Sequence, residues 1–425
     1  MDEMNRRRQE RLQRQKARLQ QERRTRIRLL IALGVLILCG ILILAFSLSS
    51  RNQQPEDTVP STQPQETETT APPQTTLPLE GETVIHFAAA GDLNITDNVV
   101  AAGGAGYDYT PCFLDVAHLF ADADLAALNF EGVLGGTPYG SEGNGSAPQE
   151  VAQALSRAGV DLIQLANSCS LNQGLSGLEA TINNARAAGL EPLGAYANRA
   201  AYNAGKGYVI RNVGDIKIAF VAFTKGMDGL TLPAGSEDCV NLLYTDYDSA
   251  YQTIDTQGIT SILDAAKKEK PDVIIAMLHW GSEFNDTVSS SQAKIVTLLQ
   301  ENGVDAIIGT HSHYVQKIAY DPAAGSLVAY CLGDLLGDAD RSGSEYSIIL
   351  DLEITKDAES GDANISGYSY TPIYTVHEEG QPLRVVRLNE AIEAYENGYM
   401  EAVSQQTYES MVYALSRIEA RVTGE

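Results

Sequence analysis

Basic residues are scarce in this chain: 30 Lys plus Arg face 55 Asp plus Glu, a formal net charge of −25 over 425 residues. A surface this acidic repels phosphate backbones, so nucleic acid is a poor partner. Cysteine is scarcer still, with five positions (Cys39, Cys112, Cys169, Cys239 and Cys331) and no Cys-x-x-Cys pair. That excludes a small disulfide scaffold and argues against a structural zinc knot, leaving burial as the plain expectation for the last four thiols. Tryptophan occurs once, at Trp280, and no internal repeat is visible. Against these shortages, apolar residues make up 44% and charged residues 20%. Those proportions are ordinary for a globular chain and argue against a wholly disordered or collagen-like one.

Long apolar runs are absent except one. Leu29 to Leu48 (LLIALGVLILCGILILAFSL) carries no charge, and twenty helical residues span about 30 Å, the thickness of a hydrocarbon core. The run exceeds the apolar part of a signal peptide and no clear Ala-x-Ala site follows it, so an uncleaved anchor is expected. Eleven basic and four acidic residues give segment 1–28 a charge of +7 and leave −32 on the other 397 residues. This asymmetry predicts a cytoplasmic N-terminus, a transmembrane helix at 29–48 and an exported remainder. Residues 49–82 are rich in Pro, Thr, Gln and Glu and almost lack large apolar side chains, as an extended, disordered stalk would.

From Thr83 onward, short apolar runs alternate with helical spacing. Strands are expected at 83–90, 125–130, 162–166, 216–223, 273–278, 306–309 and 327–332, and helices at 148–158, 174–188, 257–269 and 289–301. After 345 the pattern turns strand-rich (EYSIILDLEI, GYSYTPIYTV, LRVVRL), and an amphipathic helix is expected at about 401–421. The fold class is therefore α/β.

Polar residues gather where these strands end: Asp92, Asn129 and Glu131, Asn167, His279 with Glu283, then His311 and His313. Loops at the carboxyl ends of strands in α/β sheets converge on one point, which is where ligands sit. Singly, each residue has a blander reading, as a helix cap, a turn residue or a core histidine. Together they form a donor inventory for one or two divalent ions of the Mn, Fe or Zn class. In His311-x-His313, alternate residues of an extended segment face one way, so both rings are expected to serve one centre. A two-metal centre polarises a phosphoryl or acyl oxygen and lowers the pKa of bound water toward about 7.

GlyAsp at 91–92, AsnPheGlu at 129–131, LeuAlaAsn at 165–167, HisTrpGlySerGlu at 279–283, GlyThrHisSerHis with Gln316, and LeuGlyAsp at 332–334 together resemble the CapA family of bacterial capsule and poly-γ-glutamate synthesis proteins. The resemblance covers about 84–340. It implies a calcineurin-like metallophosphoesterase-type β-sandwich flanked by helices over 83–376, with a C-terminal strand and helix at 377–425 packing on it. It also implies metal-centre roles for Asp92, Asn167, His279, His311 and His313, with Glu131 as ligand or base. The partners it implies are an anionic polymer substrate and a capsule or polyglutamate synthesis or export complex at the cell membrane.

One departure stands out. Where the family usually shows AsnAsnHis followed by Asp, this chain reads Asn167-Ser168-Cys169 and then Asn172. The usual His would help protonate a leaving group, and a thiol near 8.5 matches neutral hydrolysis less well than an imidazole near 6.5. Two readings stay open. One is a metal-dependent phosphoesterase or hydrolase using Cys169, Glu131 and His279; the other is a non-catalytic scaffold with a degenerate site. LeuGlyAsp replaces the usual LeuGlyAsn, and Asp334 either joins the site or caps a turn.

Overall fold

The computed structural model describes residues 82–337, 341–400 and 402–424. The expected basic segment, transmembrane helix and stalk, through residue 81, lie outside the described residues. Among the described residues no helix is long and apolar enough to cross a membrane.

Among the described residues, fourteen strands form two sheets. They are β1 (Glu82–Asn94), β2 (Leu125–Glu131), β3 (Leu162–Gln164), β4 (Glu191–Leu193), β5 (Tyr208–Val213), β6 (Ile216–Thr224), β7 (Val273–His279), β8 (Ala306–Thr310), β9 (Ile318–Asp321), β10 (Ser326–Ala329), β11 (Asp334–Leu336), β12 (Tyr346–Asp357), β13 (Ala363–Val376) and β14 (Arg384–Arg387). The eight-stranded sheet runs β14-β13-β12-β1-β2-β3-β4, with β11 pairing β1 off that path; the six-stranded sheet runs β5-β6-β7-β8-β10-β9.

Alternation along the strands explains the layers. On β6, Ile218, Phe220 and Ala222 face a core shared with Ile85, Phe87 and Ala89 of β1, while Ala219, Val221 and Phe223 face the other way. A strand with apolar side chains on both faces needs cover on both. The shared core lies between the sheets. Helices Gln149–Arg157 and Gly174–Ala187 cover the outer face of the larger sheet, and helices Thr256–Lys267 and Ser290–Glu301 cover that of the smaller one. Helices Leu388–Glu396 and Gln405–Thr423 add Leu388, Met411, Ala414 and Ile418 to the inter-sheet core. The expected α/β class holds, as a layered fold of two sheets with helices outside.

Three expectations shift in detail. β1 runs on through Gly91-Asp92 to Asn94, so Asp92 sits within the strand and not after it. β10 stops at Ala329, because the chain then leaves the smaller sheet for the larger one. Strands β4, β5, β9 and β11 were not expected: β4 and β11 are three residues long, and β5 and β9 are half-exposed edges without a clear apolar alternation.

Candidate metal centre

The two sheets meet where the chain crosses between them. The Leu332 amide donates to Gly309 O at the end of β8 (3.1 Å), and the Asp92 amide donates to Gly333 O (3.0 Å). This approach requires glycine: a Cβ on Gly91 would lie 1.7 Å from Gly333 O. Gly333 itself has φ +84°, the left-handed region that favours glycine. The β1–β2 register slips between Ala89 and Asp92, and beyond the slip Asp92 lies between Asn129 of β2 and Asp334 of β11. In the other sheet, His279 lies between Thr224 of β6 and Thr310 of β8.

Across this seam the larger sheet supplies oxygen donors and the smaller one nitrogen donors. Two groups result, each with ligand atoms within 4.8 Å of one another: Glu131 with His279 and His311, and Asp92 with His313 and Asp334, all buried. The His279 and His311 rings are 4.4 Å apart between centroids, and His279 Nε2 is 3.4 Å from Glu131 Oε1. The His311 amide donates to Asp92 Oδ2 (2.9 Å), which ties the two groups together. The expectation that the His311–His313 segment is extended is corrected: both residues adopt positive φ, 88° and 58°, and the two rings, 6.2 Å apart between centroids, each join a different one of the two adjoining groups.

Four buried polar atoms of the first group lack any hydrogen-bond partner: Glu131 Oε2, His279 Nε2 and both ring nitrogens of His311. Buried polar atoms almost always have partners, and four orphans converging from three residues fit a cation. Their protonation agrees. Burial, and then the neighbouring His279, push His311 well below its ordinary value, so its imidazole is neutral and offers lone pairs. Burial would raise Glu131, but the histidines, His279 first and then His313 and His311, together outweigh it and keep the carboxyl ionised. His279 Nδ1 lies 3.2 Å from Thr310 Oγ1 and 3.3 Å from Asn129 Nδ2, which leaves Nε2 facing Glu131.

The second group holds a proton instead. His313 Nδ1 is 2.8 Å from Asp334 Oδ1. Burial lowers His313, yet the carboxylates of Asp334, Glu131 and Asp92 together outweigh it and carry the ring up to about 10. Divalent ions compete with protons for such donors, which makes occupancy pH-dependent.

The remaining expected residues fall nearby. Asn167 is buried, but its amide is already engaged: Nδ2 donates to Asn129 Oδ1 (3.0 Å) and Phe130 O (2.7 Å), and Oδ1 accepts from the Cys169 amide (3.0 Å). Asn129 Nδ2 in turn donates to Asp92 Oδ1 (2.5 Å). Cys169 belongs to neither donor group, and burial followed by the Glu131 charge pushes its thiol far up. Its neighbour Ser168 reaches the site, donating to Glu131 Oε1 (2.5 Å). Trp280 packs beneath: its Nε1 donates to Tyr330 O (2.9 Å) and the two rings stack. Glu283 is exposed and outside both groups. Sequence reasoning missed Ser168 and Thr310, whose only signal was adjacency to other site residues, and it left open that Asp334 joins the site.

A family model described as bacterial capsule synthesis protein PGA_cap matches residues 86–339, more than half of the chain. Capsule biosynthesis protein CapA of Bacillus anthracis is 27% identical over 49% of this chain and 48% of its own length. PGA biosynthesis protein CapA of Bacillus subtilis (strain 168) is 21% identical over 54% of each. The chain thus spans about half the length of the curated relatives it matches. Among solved structures, the calcineurin-like phosphoesterase YfkN from Bacillus subtilis is similar with a TM-score of 0.43 and 14% identity, over 79% of this chain and 99% of that one.

Proposed function

We propose a function from one premise: the chain belongs to the bacterial capsule synthesis protein family, PGA_cap. The proposal is a metal-dependent hydrolase of calcineurin-like type acting in capsule or poly-γ-glutamate-type polymer synthesis, attachment or release. Segment 29–48 would anchor it in the cell membrane, with the catalytic domain outside the cytoplasm. The observation that carries the hydrolase reading is the set of orphaned donors on Glu131, His279 and His311. One or two divalent ions held by Asp92, Glu131, His279, His311, His313 and Asp334 would supply Lewis acidity toward a phosphoryl or acyl oxygen.

The chain's own residues do the rest. Thr310 fixes the His279 ring, Ser168 fixes one Glu131 oxygen and leaves the other free, and the Asn167–Asn129 pair holds the Asp92 carboxylate. A second reading, a polymer-handling scaffold, draws on Cys169: a thiol raised by burial is a poor proton donor at neutral pH. Metal analysis of the protein, together with turnover of a generic phosphodiester, tests the first reading. One or two ions per chain with turnover supports it; neither metal nor turnover supports the scaffold. If leaving-group protonation limits the rate, Cys169→His raises turnover at least about tenfold; an unchanged rate removes position 169 from catalysis.

A further inference from the structure

An acidic protein that handles an acidic polymer must place positive charge where the polymer lies, because repulsion from a charge of −25 opposes approach. Half of the Lys and Arg side chains among the described residues pair with carboxylates, as Arg199 does with Glu237 and Asp238, Arg211 with Glu191, and Lys356 with Asp272. Two beside the site form no ion pair with a described carboxylate.

Lys225 follows β6, and its amide donates to His279 O (2.8 Å). Its ammonium lies 3.3 Å from Gly281 O and 5.2 Å above the Tyr251 ring. It is near enough for its charge to act on His311 and for Glu131 to act on it. Glu283 and Asp228 act on it only through space, without forming ion pairs. Arg341 stands on the other side, its guanidinium 4.0 Å from the Phe284 ring, which stacks on His313 with centroids 5.0 Å apart. Phe284 is itself held in the left-handed region (φ 53°), its amide donating to Ser312 O (2.8 Å). One cation without an ion-pair partner among the described residues therefore flanks each donor group: Lys225 beside Glu131 and His311, Arg341 beside His313.

Building on the hydrolase reading, we infer that Lys225 and Arg341 determine substrate specificity, each receiving an oxyanion of a polyanionic chain laid across the two donor groups. The shared ligand chemistry is carboxylate or phosphate. Arg341 offers a planar fork suited to two oxygens of one group, and Lys225 a point charge. A neutral polymer gains nothing from either.

The test uses the full chain in lipid nanodiscs, loaded with manganese, and fluorescence anisotropy with labelled poly-γ-glutamate and labelled polyphosphate. Lys225→Met and Arg341→Gln each weaken binding of the preferred polymer about tenfold, and the double variant about a hundredfold. Lys225→Arg, which keeps the charge, retains most of the affinity. Metal content and melting curves of the variants check that the fold is intact. A double variant that binds both polymers like the wild type overturns the inference and leaves the hydrolase reading standing. A wild-type protein that turns over a phosphodiester yet binds neither polymer also overturns it. A wild-type protein with neither metal nor turnover fails the hydrolase reading itself.

Discussion

The two ends of the same strands use carboxylates in opposite ways. At the amino ends, an aspartate beside each strand accepts the amide of a neighbouring strand: Asp124 from His86, Asp161 from Ala126, Asp272 from Lys217 and Asp305 from Ile274, at 2.7–2.8 Å. These carboxylates tie neighbouring strands together, and Asp272 pairs with Lys356 as well. At the carboxyl ends, Glu131 keeps an oxygen with no partner, and His279 and His311 keep unpartnered nitrogens. The residue types overlap; the partners differ. A satisfied carboxylate stabilises the fold, whereas an unsatisfied buried one costs stability unless a ligand completes it.

The largest effect expected from this contrast is at the carboxyl ends. His311→Ala removes two orphaned nitrogens and lowers metal affinity and phosphodiester turnover at least about 100-fold, measured by metal analysis and steady-state kinetics. Unchanged metal content would break the comparison. Next, adding a divalent ion at about 100 times its Kd to chelated protein stabilises the fold by about 2.7 kcal/mol, read as a rise in Tm, because the ion binds only the assembled seam. At the amino ends, Asp161→Ala strands the Ala126 amide and lowers stability by about 1–2 kcal/mol in urea unfolding, while metal content stays that of the wild type.

The smallest effect is a pH dependence away from the site. Burial raises Asp305 to about 6, against the pull of the Ile274 amide. A carboxyl whose folded pKa lies above its unfolded one favours folding while protonated. That contribution is whole below about pH 4 and is lost as pH rises through about 6. Asp305→Asn does not titrate, so its advantage over the wild type grows between about pH 4 and pH 6 and then levels. A flat difference across that range would show that Asp305 is as relaxed as a surface carboxylate.

Much of this was legible before any coordinates. Long apolar runs such as Val273–His279 read as strands because burial on both faces leaves no other pattern, and Gln149–Arg157 and Ser290–Glu301 read as helices from their 3.6-residue period. Six metal candidates were named from strand ends, and five of them, Asp92, Glu131, His279, His311 and His313, fall in the two donor groups. Asn167 does its work through Asn129, a distinction carried by which way an amide faces and not by residue type.

The sequence by itself determined the alternation of strands and helices, the family and the inventory of donors, because periodicity and residue type are local properties. Only the tertiary structure decided which donors lie close enough to share an ion, that His311 and His313 join different groups, that Asp334 falls beside Asp92 and His313, and that Lys225 and Arg341 stand there without a described carboxylate partner. Those outcomes depend on backbone torsions at 311 and 313 and on two glycines that let the sheets touch. A contact between residues more than two hundred positions apart, like that of His311 with Asp92, has no signature along the chain.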